Sequence, residues 1–176
     1  VFKRLTIPGN FISNQYVSKN GAYLIRPFQD TSIPERLMSE PPLEPIDLSW
    51  ITFQLLMAVK NLHKAGAYHG DIKPENVLIG SDLQVTLTDH APFKPQVIGP
   101  NQPHFFIHFF SYGRPDAYLA PERISNDLSY HPDMCAADLF SLGCVIAYLY
   151  TNGETLFNFT SLIQYSKNKN HNSLKI

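Results

Sequence analysis

The sequence has few of the residues that mark disulfide-linked, metal-binding or nucleic-acid-binding proteins. Its two cysteines, Cys135 and Cys144, match no metal motif by their spacing, so we predict buried free thiols in a reducing compartment. The 14 Lys and Arg residues nearly balance the 15 Asp and Glu residues, giving a formal net charge of −1. Because nucleic-acid binding needs a basic surface, this balance gives no support to a nucleic-acid partner.

Long uninterrupted apolar runs are also missing. The most apolar stretch, residues 139–150, is broken by Ser141 and Gly143 and is too short to span a bilayer, so we predict no transmembrane segment. The sequence does contain 44% hydrophobic and 12% aromatic residues within 176 positions. That content is typical of a packed globular domain, or of the larger part of one.

Two strongly apolar helices are predicted, at about residues 47–65 and 137–150. Asp47 or Ser49 could cap the first helix, and Gly66 is a natural stop after it. Two apolar stripes run along the first helix and predict burial around much of its circumference. The stripes consist of Trp50, Phe53 and Met57 and of Leu55, Val59 and Leu62.

Shorter elements are predicted around these helices. We expect a strand at 22–26, a short helix at 31–38 and a β-hairpin with strands at 77–79 and 84–88. Either Thr31 or Ser32 could cap the short helix. With these elements in place, the most polar loop of the chain lies between the first long helix and the hairpin.

The loop of residues 69–76, HGDIKPEN, holds an acid, an amine and an amide within six positions. These are Asp71, Lys73 and Asn76, and Pro74 stiffens the backbone between them. Alone, Asp71 could be an ordinary turn or capping residue. Three further motifs follow along the chain: DHA at 89–91, APE at 120–122 and DLFSLG at 138–143.

In that order, the four motifs resemble the C-terminal lobe of the eukaryotic protein kinases over about residues 21–165. The resemblance implies an α+β, protein-kinase-like fold in which the C-terminal lobe is mainly helical and the N-terminal lobe is largely missing, as in a fragment. We therefore expect residues 1–30 to be a remnant of the N-terminal lobe and hinge. Residues 31–166 would form the C-terminal lobe, and residues 167–176 a polar tail.

The resemblance also implies roles for the polar residues, with ATP and magnesium as cofactors. Asp71 would accept the proton of the substrate hydroxyl, and Lys73 would stabilise charge on the transferred phosphoryl group. Asn76 and Asp89 would bind magnesium, a hard cation that prefers oxygen ligands, and through it the nucleotide. His69 is expected to bond backbone near Asp89 and not to act as a base.

Three residues depart from the kinase pattern. Gly70 replaces the Arg that usually receives a phosphate on the activation segment, so activation by such a phosphate loses its partner. His90 replaces the Phe of D-F-G with a polar ring. Ala91 replaces the Gly and would resist a positive φ.

The unusual residues are similar to one branch of the family. Gly70, Ala91 and the run Phe93-Lys94-Pro95 resemble the regulatory protein-kinase-like subunit of the class III (vacuolar protein sorting) phosphatidylinositol 3-kinase complex. That resemblance implies the lipid kinase's catalytic subunit as a partner, together with a protein substrate. It also implies a part in vesicle trafficking and autophagy, and a cytoplasmic location at the periphery of endosomal or vacuolar membranes.

Two functions remain open at this stage. Retention of Asp71, Lys73, Asn76 and Asp89 favours a serine/threonine kinase, although we expect this chain alone to be inactive. The departures favour a pseudokinase scaffold that binds and regulates the lipid kinase. A third possibility is an ordinary helical domain in which the D-x-K-x-x-N pattern occurs by chance. The aromatic segment 103–118 is predicted to be a contact surface and not a phosphorylation switch. The alternative is that these aromatic side chains pack within the molecule and block the substrate groove, which also opposes a switch.

Overall fold

The computed structural model describes residues 14–18, 21–25, 31–99, 116–127 and 129–172. For the first two ranges, and for the last five residues of the final helix, it describes the backbone alone. Most of the aromatic segment that we predicted to be a contact surface lies outside the described residues, so that prediction stands as it was.

The strands form two small antiparallel sheets. Strands β1 (Asn14–Ser18) and β2 (Gly21–Ile25) pair with each other, and β2 lies one residue before the strand that we predicted. Strands β3 (Thr31–Ser32), β4 (Val77–Ile79) and β5 (Val85–Leu87) form a second sheet in that order. The pairing of β4 with β5 confirms the predicted hairpin. Neither β1 nor β3 was predicted.

Helices are the commonest regular structure in the described chain, and none of those described is both long and apolar enough to cross a membrane. The α-helices are α1 (Ile33–Leu37), α2 (Pro45–Lys64), α3 (Met134–Tyr150) and α4 (Phe159–Asn172). Short 3-10 helices cover Pro74–Asn76 and Pro121–Arg123. Small sheets with a larger share of helix fit the predicted α+β, kinase-like fold.

The helix ends show where the sequence-based boundaries were wrong. Helix α2 begins with Pro45 after the N-cap Glu44, and Asp47 lies inside the first turn, where its carboxylate accepts the Glu44 N–H at 2.9 Å. Helix α3 begins three residues early because Asp133 caps it, accepting the N–H groups of the second and third residues of that helix. Helix α4 was not predicted, and it runs past position 167, where we expected the polar tail to start.

The main core lies where α2, α3 and the β4–β5 hairpin meet. Its largest members are fully buried aliphatic side chains, among them Ile33, Ile51, Leu55, Ile79, Leu87 and Leu149. The second apolar stripe of α2 faces this core, as predicted. The first does not, since Trp50 is 43% and Phe53 52% exposed. Our prediction of burial around much of α2 was therefore wrong, because periodicity does not show which stripe is covered.

Gln54 ties the hairpin to α2 from within the core. Its Nε2 donates to the carbonyl oxygen of Leu83 at 2.8 Å, and its Oε1 accepts the N–H of Val85 at 3.1 Å. Leu83 has a φ of 60°, an unusual left-handed conformation for a branched residue. The buried amide thus satisfies backbone groups at a strained turn and holds β5 in place for the residues that follow it.

Adjacent leucines on α2 allow a matched test of this packing. Leu55→Ala removes a side chain that is 0% exposed and should lower the free energy of unfolding by about 2–5 kcal/mol. Leu56→Ala, at a position 47% exposed, should change it by about 0.5 kcal/mol. Chemical denaturation of both variants checks this, and equal losses would show that the core is not where we place it.

Candidate active site

The HGDIKPEN loop leaves α2 through left-handed backbone at two glycines. Gly66 has a φ of 74° and ends the helix as predicted, and Gly70 has a φ of 80°. A Cβ on Gly70 would lie 3.0 Å from the carbonyl oxygen of Ala91, a contact that requires something to shift. The arginine that kinases usually carry at this position would therefore not fit the backbone found here without a shift.

The buried carboxylate of Asp138, at the start of α3, holds the beginning of this loop. Its Oδ2 accepts the N–H of His69 at 2.7 Å, and its Oδ1 accepts the N–H of Gly70 at 2.9 Å. The ring Nε2 of His63, in the last turn of α2, lies 3.0 Å from Oδ2. Hydrogen bonds to a charged acceptor are among the stronger ones in proteins, so Asp138 connects α2, α3 and the loop firmly.

His69 is neutral and structural. Its ring is fully buried, with Nδ1 accepting the N–H of Asp71 at 3.2 Å. The proton is therefore on Nε2, which donates to the carbonyl oxygen of Thr88 at 2.9 Å. Burial lowers the pKa of His69 to about 4, because the cation would lose its hydration. The bond to Thr88, next to Asp89, confirms the predicted structural role.

Arg123 was not singled out from the sequence, yet it bonds the backbone on two sides of the site. Its guanidinium is buried and donates from Nη1 to the carbonyl oxygen of Gly70 at 2.9 Å. It also donates from Nη2 to Pro95 at 2.7 Å and from Nε to Gln96 at 3.1 Å. Burial lowers its pKa to about 10, so the group stays charged at neutral pH. Arg123 thus joins the HGDIKPEN loop to the segment after the hairpin.

The three described contacts of the Asp71 side chain meet at one of its oxygens. Oδ2 lies 2.7 Å from Nζ of Lys94, 3.1 Å from Nδ2 of Asn76 and 3.6 Å from Nζ of Lys73. No described residue donates a hydrogen bond to Oδ1. The carboxylate is therefore held through one oxygen, and the other is available to accept a proton. Lys94 is a second residue that sequence reasoning missed, although it lies in the unusual PFKP run.

The structure also places Asp89 close to this group. The N–H of Thr88 donates to the carbonyl oxygen of Asn76 at 2.8 Å, which fixes the end of the hairpin against the loop. Asp89 follows directly, is exposed, and has a φ of 61°. The positive φ of this motif thus falls on Asp89 and not on Ala91, as expected for an alanine at the latter position. The ring of His90 is bonded to the carbonyl oxygen of Tyr68.

A small cleft lies beside Asp71, between the loop and the residues that precede APE. It is lined by Gly70, Asp71, Ile72, Lys73, Tyr118, Leu119, Arg123 and Ser141. The hydroxyl of Ser141, on α3, donates to the carbonyl oxygen of Tyr118 at 2.6 Å and so holds the far wall of the cleft. The cleft gives a small polar group, such as a side-chain hydroxyl, a route towards Asp71.

The residues present suit a magnesium ion that is also held by phosphate oxygens. Nδ2 of Asn76 donates to both the carbonyl oxygen and Oδ2 of Asp71, which leaves its Oδ1 to face away as a possible ligand. Asp89 offers a carboxylate directly after Thr88, whose N–H donates to the carbonyl oxygen of Asn76. Among the described residues, no group of three or more His, Cys, Asp or Glu side chains could hold a metal alone. This fits magnesium, which usually takes few protein ligands beside phosphate and water.

Comparison with known proteins decides the family. The family model of the protein kinase domain matches residues 12–176. The chain belongs to the protein kinase family. The match confirms the kinase resemblance inferred from the four motifs, and it is this resemblance that identifies the HGDIKPEN loop with the kinase catalytic loop.

Among kinases, the chain is similar to proteins that carry the name VPS15. It is 42% identical to one from Komagataella pastoris over 168 residues, which cover 92% of this chain and 12% of that protein. The serine/threonine-protein kinases VPS15 of Arabidopsis thaliana and Saccharomyces cerevisiae are 39% and 37% identical, over 83% and 95% of this chain and 10% and 12% of their own length. The chain therefore spans about a tenth of the length of these relatives.

The two glycines with positive φ provide a matched test of the kinase loop. Gly66→Ala places a Cβ in open space and should cost about 1 kcal/mol of unfolding free energy from the backbone alone. Gly70→Ala adds the contact with the Ala91 carbonyl and should cost at least about 2 kcal/mol. Thermal or chemical denaturation measures both, and an equal cost would show that the loop moves freely away from Ala91.

Burial of His69 predicts a pH dependence of stability. Above pH 6.5 the imidazole is neutral in both the folded and the unfolded chain, so it adds no pH dependence. As the pH falls from 6.5 towards 4, the unfolded chain gains a proton that the folded chain does not bind, and stability drops by up to roughly 3 kcal/mol. Unfolding measured between pH 7 and 4.5 should therefore show a shallower slope for His69→Gln than for the exposed-site control His131→Gln. Identical slopes would contradict this.

Proposed function

We propose that the chain carries the catalytic residues of a VPS15-like serine/threonine protein kinase that transfers the γ-phosphate of ATP to protein hydroxyl groups. The observation that carries the proposal is the state of Asp71. Its Oδ2 is held by a lysine and an amide, and its Oδ1 receives no hydrogen bond from a described residue. A general base needs such an open oxygen within reach of the hydroxyl that loses its proton.

The roles that we propose for the individual residues are those that the kinase resemblance implies, and the geometry is compatible with them. Asp71 Oδ1 accepts the proton of the substrate hydroxyl, which enters by the adjoining cleft. Lys73, whose amine lies 3.6 Å from Asp71, stays near enough to stabilise the charge of the transferred phosphoryl group. Asn76 Oδ1 and the Asp89 carboxylate would hold magnesium, which neutralises the phosphate charge. Catalysis then depends on positioning more than on covalent help from the protein.

We further propose that the kinase acts as the regulatory subunit of a class III phosphatidylinositol 3-kinase complex in vesicle trafficking and autophagy. Its support is the overall likeness to VPS15 proteins, together with the resemblance of Gly70, Ala91 and the run Phe93-Lys94-Pro95 to that branch of the family. The catalytic subunit of the lipid kinase would be its partner. The complex would lie in the cytoplasm, at the periphery of endosomal or vacuolar membranes.

A pseudokinase scaffold is the second candidate function. It is favoured by the replacement of the usual Phe and Gly after Asp89 by His90 and Ala91, together with a glycine where kinases carry the catalytic-loop arginine. In that case the fold would bind and regulate the lipid kinase without transferring phosphate. The two candidates differ only in turnover, since both require the same lobe.

The test uses the full-length protein purified with its lipid kinase. Transfer of labelled γ-phosphate from ATP to protein should fall at least about a hundredfold in Asp71→Asn, because the base is lost. Asp82→Asn, at an exposed turn position, is the control and should leave transfer unchanged. A wild-type complex that assembles but transfers no phosphate would decide for the scaffold, and equal transfer by Asp71→Asn would exclude Asp71 as the base.

A further inference from the structure

The nearest cation to Asp71 comes from outside the catalytic loop. Nζ of Lys94 lies 2.7 Å from Oδ2, whereas Nζ of Lys73 lies 3.6 Å away. The Lys94 side chain is only 12% exposed, so this ion pair is largely shielded from water. Surface ion pairs contribute little, but a shielded pair with hydrogen-bond geometry is a stronger constraint on both side chains.

The backbone around Lys94 is held independently of the ion pair. Its N–H donates to the carbonyl oxygen of Ala91 at 3.1 Å, in a tight turn. The next two carbonyl oxygens, at Pro95 and Gln96, both accept from Arg123. Since Arg123 also bonds the Gly70 carbonyl, the chain on both sides of the ion pair is fixed in place. The amine of Lys94 is therefore brought to Asp71 by the fold, and does not reach it by chance rotation of a surface side chain.

The ion pair has two consequences for the catalytic loop. It occupies Oδ2 and so directs the open oxygen, Oδ1, away from Lys94. It also supplies the nearest positive charge for Oδ2, which leaves Lys73 at a longer distance and available to a phosphoryl group. Kinases of the usual pattern have an arginine beside the catalytic Asp that receives a phosphate of the activation segment, and this chain has Gly70 there. Lys94 comes from the following segment and pairs with the Asp71 carboxylate itself.

We propose that Lys94 is a positioning residue for phosphoryl transfer, which orients Asp71 through Oδ2 and needs no phosphate on the activation segment to do so. The proposal rests on the proposed kinase function. Lys94 does not touch the reacting atoms; it acts through Asp71. The charged and titratable groups that face Asp71 are Lys73 and His69 from the catalytic loop, Lys94 from the segment after the hairpin, and Arg123 from the 3-10 helix.

The first measurement tests the contact without relying on activity. The full-length complex is treated with an amine-acetylating ester, and the rate at each lysine is read by mass spectrometry. Lys94 should react at least about tenfold more slowly than exposed Lys60, because its amine is buried and paired. Asp71→Asn should speed reaction at Lys94 several-fold and leave Lys60 unchanged. An unchanged Lys94 rate in Asp71→Asn would overturn the proposal.

The second measurement tests the role in transfer. Lys94→Met should lower kcat at least about tenfold, with the KM for ATP within about twofold, because Asp71 loses the cation nearest to Oδ2. Lys94→Arg should restore most of the rate, and Lys60→Met is the surface control. A purely structural role would leave Lys94→Arg as slow as Lys94→Met, or would raise the KM as kcat falls, and either result would overturn the proposal.

Failure of the two proposals can be told apart. If the wild-type complex transfers no phosphate, the proposed function fails and the kinetic role of Lys94 fails with it. If the wild type is active but Lys94→Met matches it in kcat, only the role of Lys94 is overturned. Slow acetylation of Lys94 that depends on Asp71, together with a loss of kcat in Lys94→Met that Lys94→Arg reverses, supports both.

Discussion

The buried carboxylate of Asp138 is the interaction on which the rest of the site depends. Two consecutive backbone N–H groups, of His69 and Gly70, converge on it, and the ring of His63 approaches the same side chain. A buried anion is costly unless donors surround it, so these three contacts must form together. In doing so they set the end of α2, the start of α3 and the entry to the catalytic loop relative to one another.

The same physical constraint explains the charges around Asp71. Arg123 and Lys94 are both largely removed from water, and a buried cation needs either an anion or several carbonyl oxygens. Arg123 uses carbonyl oxygens, and Lys94 uses the Asp71 carboxylate. Lys94 and two of the carbonyl acceptors of Arg123, at Pro95 and Gln96, are consecutive along the chain, which makes the segment after the hairpin as much a part of the site as the catalytic loop itself.

Periodicity and motif order predicted the elements that depend on local sequence. The long helices, the hairpin and the stop at Gly66 follow from patterns within a few residues of each other. The exposure of Trp50 and Phe53 could not be predicted in this way, since it depends on which other elements reach that face of α2. Helix α4 was missed because its second half is rich in Asn, Lys and Ser, which weaken the helical pattern.

In the site, too, the features that depend on local sequence were predicted, and those that depend on contacts between distant segments were not. Asp71, Lys73 and Asn76 were selected because their spacing is local, and the roles predicted for them rest on the kinase resemblance. Lys94 was visible only as one letter of an unusual run, because its partner lies 23 positions earlier and the turn at Ala91 that returns it is not apparent from composition. Contacts between segments that are distant in the sequence can be identified only once the fold is known.

The bonds of Arg123 have a consequence for how this part of the sequence can vary. A carbonyl oxygen is present in every residue type, so the three acceptors place no demand on the side chains at Gln96 or its neighbours. The donor has no such freedom, because lysine offers a single nitrogen and cannot reach three separated oxygens in the geometry of a guanidinium. Only one side of this contact is therefore restricted in sequence. Position 123 must keep its arginine, while the side chains of the segment that the arginine holds can change.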